Sequence, residues 1–182
     1  MTGVLESQIH IAWHSPKLER RDTPTTGCGL YATVPIAQEE LLLVWGGIIV
    51  TSDELLALPE FARHRAIQVE ADQHLSSGMI DDDTDCINHS CNPTAGLSGQ
   101  IALVALRDIV PDEQVCFDYA MSDAHPSFRM PCACGQPDCR KVITGDDWKK
   151  PELQQRYKGY FSPYIQRMID KERHKKKPHQ QA

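Results

Sequence analysis

Short apolar runs, most of them closed by glycine, proline or aspartate, are the main pattern along the first two thirds of the chain. Residues 67–72 alternate apolar and polar side chains, which is typical of a strand with one buried face. Other apolar runs predict buried strands at residues 30–34, 41–45, 48–50, 101–110 and 115–119. The runs at 41–45 and 48–50 fit either a hairpin or one buried strand. The pattern predicts a mostly β (α+β) fold of small sheets.

Helical patterns are confined to two stretches. Capping residues from Thr51 onward precede apolar positions, so a short helical insert is predicted at about residues 51–66. Residues 146–170 predict a C-terminal helical segment that prolines and a glycine interrupt. Residues 1–16 are expected to be an N-terminal arm or an edge strand. Residues 171–182 begin with a strongly basic stretch and are expected to form a disordered basic tail.

Length and charge narrow the classes of function. The 182 residues suit one globular domain with a small appendage, and no apolar run approaches the roughly 18 residues of a membrane-spanning helix. The N-terminus lacks the basic start and apolar run of a secretory signal, so we expect an intracellular protein, cytoplasmic or, in a eukaryote, nuclear. The net charge of -6 disfavours direct nucleic-acid binding and favours a basic partner. The oligomeric state stays open.

Seven cysteines in a chain without a secretory signal indicate a reducing compartment, where clustered cysteines more often hold a metal than form disulfides. Cys28, between two glycines, is expected to pack in the fold rather than to bind metal. Cys132, Cys134 and Cys139 place three thiolates within eight residues, and Gly135 permits the tight turn between them. A structural zinc site takes four tetrahedral ligands, so the fourth ligand comes from elsewhere in the fold or from water. Cys91 is one candidate, and its ligation would dock the C-terminal segment onto the core.

Four motifs follow one another along the chain. They are Gly27-Cys28-Gly29 with Leu30-Tyr31-Ala32, then Asn88-His89-Ser90-Cys91-Asn92-Pro93, then Asp112 to Tyr119, then Cys132-Ala133-Cys134-Gly135 with Cys139. In this order they resemble the SET family of protein-lysine methyltransferases and its post-SET cysteine cluster. The resemblance implies a SET-domain fold of small β-sheets with a pseudoknot at residues 17–121. It also implies a post-SET zinc segment at residues 130–145.

The same resemblance implies methyl transfer from S-adenosylmethionine to the ε-amine of a lysine on a protein substrate. Tyr119 matches the catalytic tyrosine at the end of the lysine channel. Phe117 matches the position that limits the number of methyl groups, and a phenyl group there leaves room for di- or trimethylation. The residues implied to bind the cofactor are Gly27, Cys28, Gly29, Leu30, Asn88 and His89. The residues implied to bind Zn²⁺ are Cys91, Cys132, Cys134 and Cys139.

Departures from the family pattern leave other functions open. Trp45-Gly46-Gly47-Ile48 stands where many members have Tyr-x-Gly-Glu, so a tyrosine that commonly lines the channel is absent. A non-catalytic zinc-containing interaction domain is one alternative, and a methyltransferase for small amines is another. The acidic run at residues 81–85 either attracts a basic substrate or is a solvated loop. Family members often place a C-terminal aromatic over the cofactor, and the candidates are Trp148, Tyr157, Tyr160 and Phe161.

Overall fold

The computed structural model describes residues 12–176, in which strands outnumber helices. The strands are β1 (Trp13–His14), β2 (Leu18–Thr23), β3 (Gly27–Ala32), β4 (Leu41–Val44), β5 (Ile48–Val50), β6 (Ile67–Glu70), β7 (Gln73–Ser76), β8 (Asn88–His89), β9 (Ala95–Ser98), β10 (Ala102–Ala105), β11 (Gln114–Phe117), β12 (Arg129–Pro131) and β13 (Val142–Thr144). The α-helices are α1 (Ser52–Ala57), α2 (Glu60–Arg63), α3 (Pro151–Arg156) and α4 (Pro163–Lys176). Three 3-10 turns cover Asp83–Cys86, Tyr119–Met121 and Asp147–Lys149. The predicted mostly β architecture is confirmed.

Eight strands form the main sheet, in the order β1-β4-β10-β9-β11-β3-β2, with β8 beside β11. β2 and β3 are joined as an antiparallel hairpin. The central strands turn apolar side chains into the core, where Leu30, Leu43 and Leu103 are fully buried. Of the predicted N-terminal arm, residues 13–14 form the edge strand β1 against β4. Residues 1–11 lie outside the described residues.

β4 and β5 form neither a hairpin with each other nor one continuous strand, so both interpretations of residues 41–50 are wrong. β4 lies between β1 and β10 in the main sheet, whereas β5 pairs with β7 in a separate three-stranded sheet, β5-β7-β6. Gly47 between them has a φ of 137°, and a Cβ built on it would lie 2.2 Å from the Ser76 carbonyl oxygen. Only glycine fits this close approach, which lets the chain pass from one sheet to the other.

The helical insert lies between β5 and β6. α1 begins with a capping box: the Thr51 hydroxyl accepts the Glu54 backbone N–H at 3.3 Å, and the Glu54 carboxylate accepts the Thr51 backbone N–H at 2.8 Å. α2 follows Pro59 and buries only Ala62. The two helices therefore occupy residues 52–63, inside the stretch predicted for the insert.

The C-terminal segment packs on the main core. Trp148, Tyr157, Ile165 and Ile169 are each at most 2% exposed and belong to the same hydrophobic cluster as the central strands. Large apolar side chains of this kind contribute about 1.5–3 kcal/mol each when they leave water. The segment is consequently part of the fold rather than an appendage.

α4 extends farther than predicted. The helix continues to Lys176, so the first six residues of the expected disordered tail, 171–176, are helical. Lysine, glutamate and arginine are good helix formers, and the buried Ile169 anchors the preceding turn. Residues 177–182 lie outside the described residues. Within residues 12–176, no helix is both long enough and apolar enough to span a membrane.

A parallel contact between two strands builds the site. β8 lies parallel to β11 and places His89 opposite Phe117, although β9 and β10 separate the two strands along the chain. The Ser90 backbone N–H extends this contact by donating to the Phe117 carbonyl at 3.1 Å. The second motif therefore runs beside the strand that leads into Tyr119.

Candidate functional site

One cleft of about 1520 Å³ collects most of the predicted site residues. They come from β3, from β8, from the end of β11 and from the cysteine-rich segment, so four distant parts of the chain meet there. The predicted site residues that line it are Gly27, Cys28, Asn88, His89, Phe117, Tyr119, Cys132 and Cys134.

The first two motifs meet at one wall of the cleft. The side-chain amide of Asn88 donates to the Cys28 carbonyl at 2.7 Å and so ties β8 to β3. Gly27 has a φ of 79°, a left-handed conformation that favours glycine. Gly29 and Leu30, also predicted to bind the cofactor, do not line the cleft, and the Leu30 side chain is fully buried.

Tyr119 is held at its backbone and at its hydroxyl. Its backbone N–H donates to Nδ1 of His89 at 3.3 Å, and its hydroxyl donates to the Ile87 carbonyl at 3.0 Å. The His89 ring lies edge-on to the phenol, with 5.3 Å between the ring centroids. Burial raises the pKa of the Tyr119 phenol, so the hydroxyl is protonated at neutral pH. A protonated hydroxyl can form hydrogen bonds but is not a strong base.

Phe117 and Trp45 form an apolar wall beside Tyr119. Phe117 is 5% exposed, and its ring centroid lies 4.9 Å from that of Tyr119 and 5.6 Å from that of Trp45. The Trp45 indole N–H donates to the Thr84 carbonyl at 3.0 Å. Because that donor is already paired, the tryptophan that replaces the family's usual tyrosine adds no unpaired polar group to this wall.

Cys28 and Cys86 form a disulfide, with their Cα atoms 5.3 Å apart. The expectation of reduced cysteines is therefore wrong for this pair. The bond joins the first motif to the segment just before Asn88 and thus borders the predicted cofactor site. No local pattern indicates a pairing across 58 residues. The family resemblance offered one indirect indication of the pairing, because it places the first motif and the residues around Asn88 at the same cofactor site.

The four cysteines predicted to bind zinc come together at one end of the cleft. Their sulfur atoms all lie within 4.8 Å of one another, and the Cys91 and Cys132 sulfurs are 3.9 Å apart. Zn–S bonds of about 2.3 Å in tetrahedral geometry require sulfurs about 3.8 Å apart, so the set fits Zn²⁺. Cys91, Cys132, Cys134 and Cys139 would hold the ion, which would serve a structural role because all four positions are filled by protein.

A buried ionic cluster joins the cysteine segment to the turn that carries Tyr119. Asp118 is fully buried, and its two carboxylate oxygens accept from the Arg140 guanidinium at 2.5 and 2.7 Å. The same carboxylate accepts the Tyr157 hydroxyl at 3.0 Å and the Ala120 backbone N–H at 3.0 Å. Sequence reasoning missed this cluster, because ion pairs between distant residues leave no periodic pattern.

The acidic run at residues 81–85 is largely paired within the protein. Arg20 lies 3.1 Å from Asp81 and 3.3 Å from Asp83, and Arg65 lies 3.1 Å from Asp81. These exposed pairs reduce the charge that the run presents to a partner. The structure thus favours the solvated-loop interpretation for most of the run.

Three carboxylates and five arginines line the cleft, and two of the carboxylates, Asp85 and Asp123, have a raised pKa. Asp85 accepts the Ser77 hydroxyl at 2.6 Å, and Asp123 accepts the His125 backbone N–H at 2.9 Å. Burial raises the pKa of each carboxyl to about 6. Both carboxyls are therefore mostly ionised at neutral pH.

The C-terminal aromatics do not line the cleft. Trp148, Tyr157 and Phe161 are buried in the core, and the Tyr160 hydroxyl bonds to Glu39. An aromatic that does line the cleft is Phe128, which precedes the cysteine segment and was not among the candidates.

Comparison with known proteins matches the part of the chain that contains the first three motifs. The SET domain family model matches residues 27–120, just over half of the chain. Histone-lysine N-methyltransferase ash1 of Drosophila melanogaster is 32% identical over 151 residues, which cover 72% of this chain and 6% of ash1. The chain therefore spans a small part of the length of that relative.

Solved structures share the fold. The methyltransferase domain of human histone-lysine N-methyltransferase SETMAR has a TM-score of 0.58 and 22% identity, and the match covers 69% of this chain and 57% of that one. KRYPTONITE in complex with mCHH DNA, H3(1-15) peptide and SAH has a TM-score of 0.56 and 19% identity, with coverages of 69% and 29%. Because that neighbour was solved with DNA, the comparisons lend no support to the charge-based expectation of no nucleic-acid binding.

Proposed function

The chain belongs to the SET domain family, and from this premise we propose that it transfers methyl groups from S-adenosylmethionine to the ε-amine of a lysine on a protein. The observation that carries the proposal is one cleft in which Tyr119 and Phe117 meet the wall formed by Gly27, Asn88 and His89. The histone-lysine activity in the name of ash1 supports a protein lysine as the acceptor.

We propose that Gly27, Cys28, Asn88 and His89 hold the cofactor. S-adenosylmethionine supplies an electrophilic methyl group on sulfur when it is bound. Gly27 allows close approach because it has no Cβ, and the bond from Asn88 to the Cys28 carbonyl keeps the two halves of this wall together. Gly29 and Leu30 are proposed to contribute indirectly by holding β3 in place.

The proposed roles of Tyr119 and Phe117 follow from what the acceptor needs. At neutral pH only about one lysine in 2,500 is uncharged, because the ordinary lysine pKa is about 10.4. The apolar wall of Phe117 and Trp45 lowers that pKa by desolvation. The Tyr119 hydroxyl donates to Ile87, so its lone pairs are available to accept an amine N–H and to orient the nitrogen toward the methyl group.

The number of methyl groups is proposed to depend on Phe117. Its ring has no hydroxyl, so this position cannot hold a water or the amine by a hydrogen bond. The nitrogen can then rotate after each transfer and present its lone pair again. We therefore propose di- or trimethylation.

A basic protein segment is the proposed substrate. The support for this is the net charge of -6 that the chain carries. Opposite charge raises the rate of encounter and favours a cationic partner. A histone is the first candidate because of the names of the relatives, and the corresponding location in a eukaryote would be the nucleus.

Incubation of the chain with tritiated S-adenosylmethionine tests the acceptor class. Core histones, an array of basic peptides and free amines such as lysine and spermidine are offered in parallel. The proposal predicts tritium in protein or peptide lysines. Transfer to free amines alone would favour a small-amine enzyme, and absence of transfer despite measured cofactor binding would favour a non-catalytic interaction domain.

A further inference from the structure

We propose that Arg140 is a positioning residue for Tyr119. Arg140 fixes Asp118, the residue that precedes the tyrosine, and thereby makes methyl transfer depend on the docked cysteine segment. The inference rests on the proposed function in that Tyr119 is taken as the residue that orients the acceptor amine.

Asp118 controls the start of the turn that contains Tyr119. Its side chain accepts the Ala120 backbone N–H at 3.0 Å and so caps the 3-10 turn Tyr119–Met121. A second side chain holds the same turn: Nδ1 of His89 accepts the Tyr119 backbone N–H at 3.3 Å. The phenol therefore points into the cleft from a turn whose first residues are fixed by two side chains.

Arginine suits this place because of its geometry. Two guanidinium nitrogens of Arg140 contact the two oxygens of Asp118, at 2.5 and 2.7 Å, in a paired arrangement that lysine lacks. Its Nε lies 3.0 Å from Asp147, a second buried carboxylate that Lys150 also contacts. Removing the arginine would take two charged hydrogen bonds away from the buried Asp118 and leave the Tyr157 hydroxyl and the Ala120 backbone N–H to hold its side chain, so the turn would be held less firmly.

The same residue contacts the cysteine cluster. Arg140 directly follows Cys139, and its backbone N–H donates to the Cys91 sulfur at 3.4 Å. The side chain and the backbone of one residue therefore connect the cluster to the tyrosine turn. A displacement of about 1 Å at a reacting group can cost about 100-fold in rate, so a loosened turn has a large expected effect.

Three variants test the inference. Arg140→Gln removes the charge and the fork, Arg140→Lys keeps only the charge, and Lys149→Gln is the matched control because its pair with Asp146 is exposed. We expect Arg140→Gln to lower kcat about 100-fold, with cofactor Kd and peptide KM within about 3-fold of the wild type. Arg140→Lys should recover part of kcat, and the control should keep it.

Zinc content and Tm separate positioning from a general loss of structure. We expect zinc per chain to be unchanged in Arg140→Gln. If that variant does not fold, Tyr157→Phe removes one bond to Asp118 without a change in charge, and its kcat should fall about 5-fold. Unchanged kcat in folded, zinc-loaded protein, or equal loss of kcat, cofactor binding and zinc, would overturn the proposal.

A readout without catalysis distinguishes this inference from the proposed function. Tyrosines labelled with ¹³C in the ring give a small set of NMR signals, because the chain has five tyrosines, and Tyr119→Phe identifies the Tyr119 signal. Arg140→Gln should shift or broaden that signal while the Tyr31 signal stays in place. A Tyr119 signal identical to the wild type contradicts positioning, whether or not the wild type methylates lysine.

Discussion

Replacing Phe117 with tyrosine tests the space beside the acceptor amine. The Phe117 ring is 5% exposed and packs between Trp45 and Tyr119, so a para hydroxyl must lie among buried groups or enter the cleft. A buried hydroxyl without a partner costs about 1–3 kcal/mol, so we expect it to bind a water or the amine itself. Either arrangement takes up room that a methylated nitrogen needs.

The expected magnitude follows from the size of one methyl group. Discrimination against one extra carbon in a closely packed pocket is about 1–3 kcal/mol, which corresponds to about 10- to 200-fold in rate. The second methyl transfer in Phe117→Tyr should slow by that factor relative to the first. The first transfer should change much less, because Tyr119 and its bond to the Ile87 carbonyl are untouched.

The assay is a time course of a peptide substrate followed by mass spectrometry, with mono-, di- and trimethyl products quantified separately. Phe128→Tyr is the matched control, since Phe128 lines the cleft outside the Trp45–Phe117–Tyr119 group. The control should keep the wild-type product distribution. An active Phe117→Tyr enzyme with an unchanged distribution would refute the assignment of this position.

Three further predictions concern stability. The Cys28–Cys86 disulfide closes a loop of 58 residues, so reduction should lower the free energy of unfolding by about 4 kcal/mol in urea titrations, and Cys86→Ser should abolish that sensitivity to reductant. Cys132→Ser should lower zinc per chain and Tm together, and metal content equal to the wild type would contradict the ligand assignment. Burial raises the pKa of Asp123 to about 6. The folded chain therefore keeps a proton on this carboxyl at pH values where the unfolded chain, above about pH 4, has released it. The free energy of unfolding consequently falls as the pH rises from about 4 to about 6. In the same urea titration, the free energy of unfolding of Asp123→Asn should therefore increase relative to that of the wild type by about 1–3 kcal/mol as the pH rises from about 4.5 to 7. A difference between the two proteins that does not change with pH would contradict the raised pKa.

Elements with a strong local pattern were predictable. β4, β6 and β11 overlap the apolar or alternating runs that predicted them, and the capping box at Thr51 marks the start of α1. The run predicted as a strand at residues 101–110 is a strand only at Ala102–Ala105, in β10. β2 was not predicted because its sequence, LERRDT, is mostly polar, as suits an edge strand with only Leu18 buried. The exchange between sheets at Gly47 depends on the Ser76 backbone, which lies far away in sequence.

The site was predictable only as far as its motifs are contiguous. Phe117 and Tyr119 belong to one strand and turn, and three of the four clustered cysteines lie within eight residues. Contacts across the fold had no such signature, and the pairing of Arg140 with Asp118 is the main example. That contact depends on how the cysteine segment docks on the core, which no local pattern describes.

The most direct test of the central claim compares the rate of methyl transfer by the purified wild-type chain with that of Tyr119→Phe. The substrate is a lysine-containing histone peptide with labelled S-adenosylmethionine, and Tyr160→Phe, which changes a tyrosine outside the cleft, is the control. The account predicts labelled lysine from the wild type and the control, and about 100- to 1,000-fold less from Tyr119→Phe, which still binds the cofactor. Equal rates for wild type and Tyr119→Phe would contradict it.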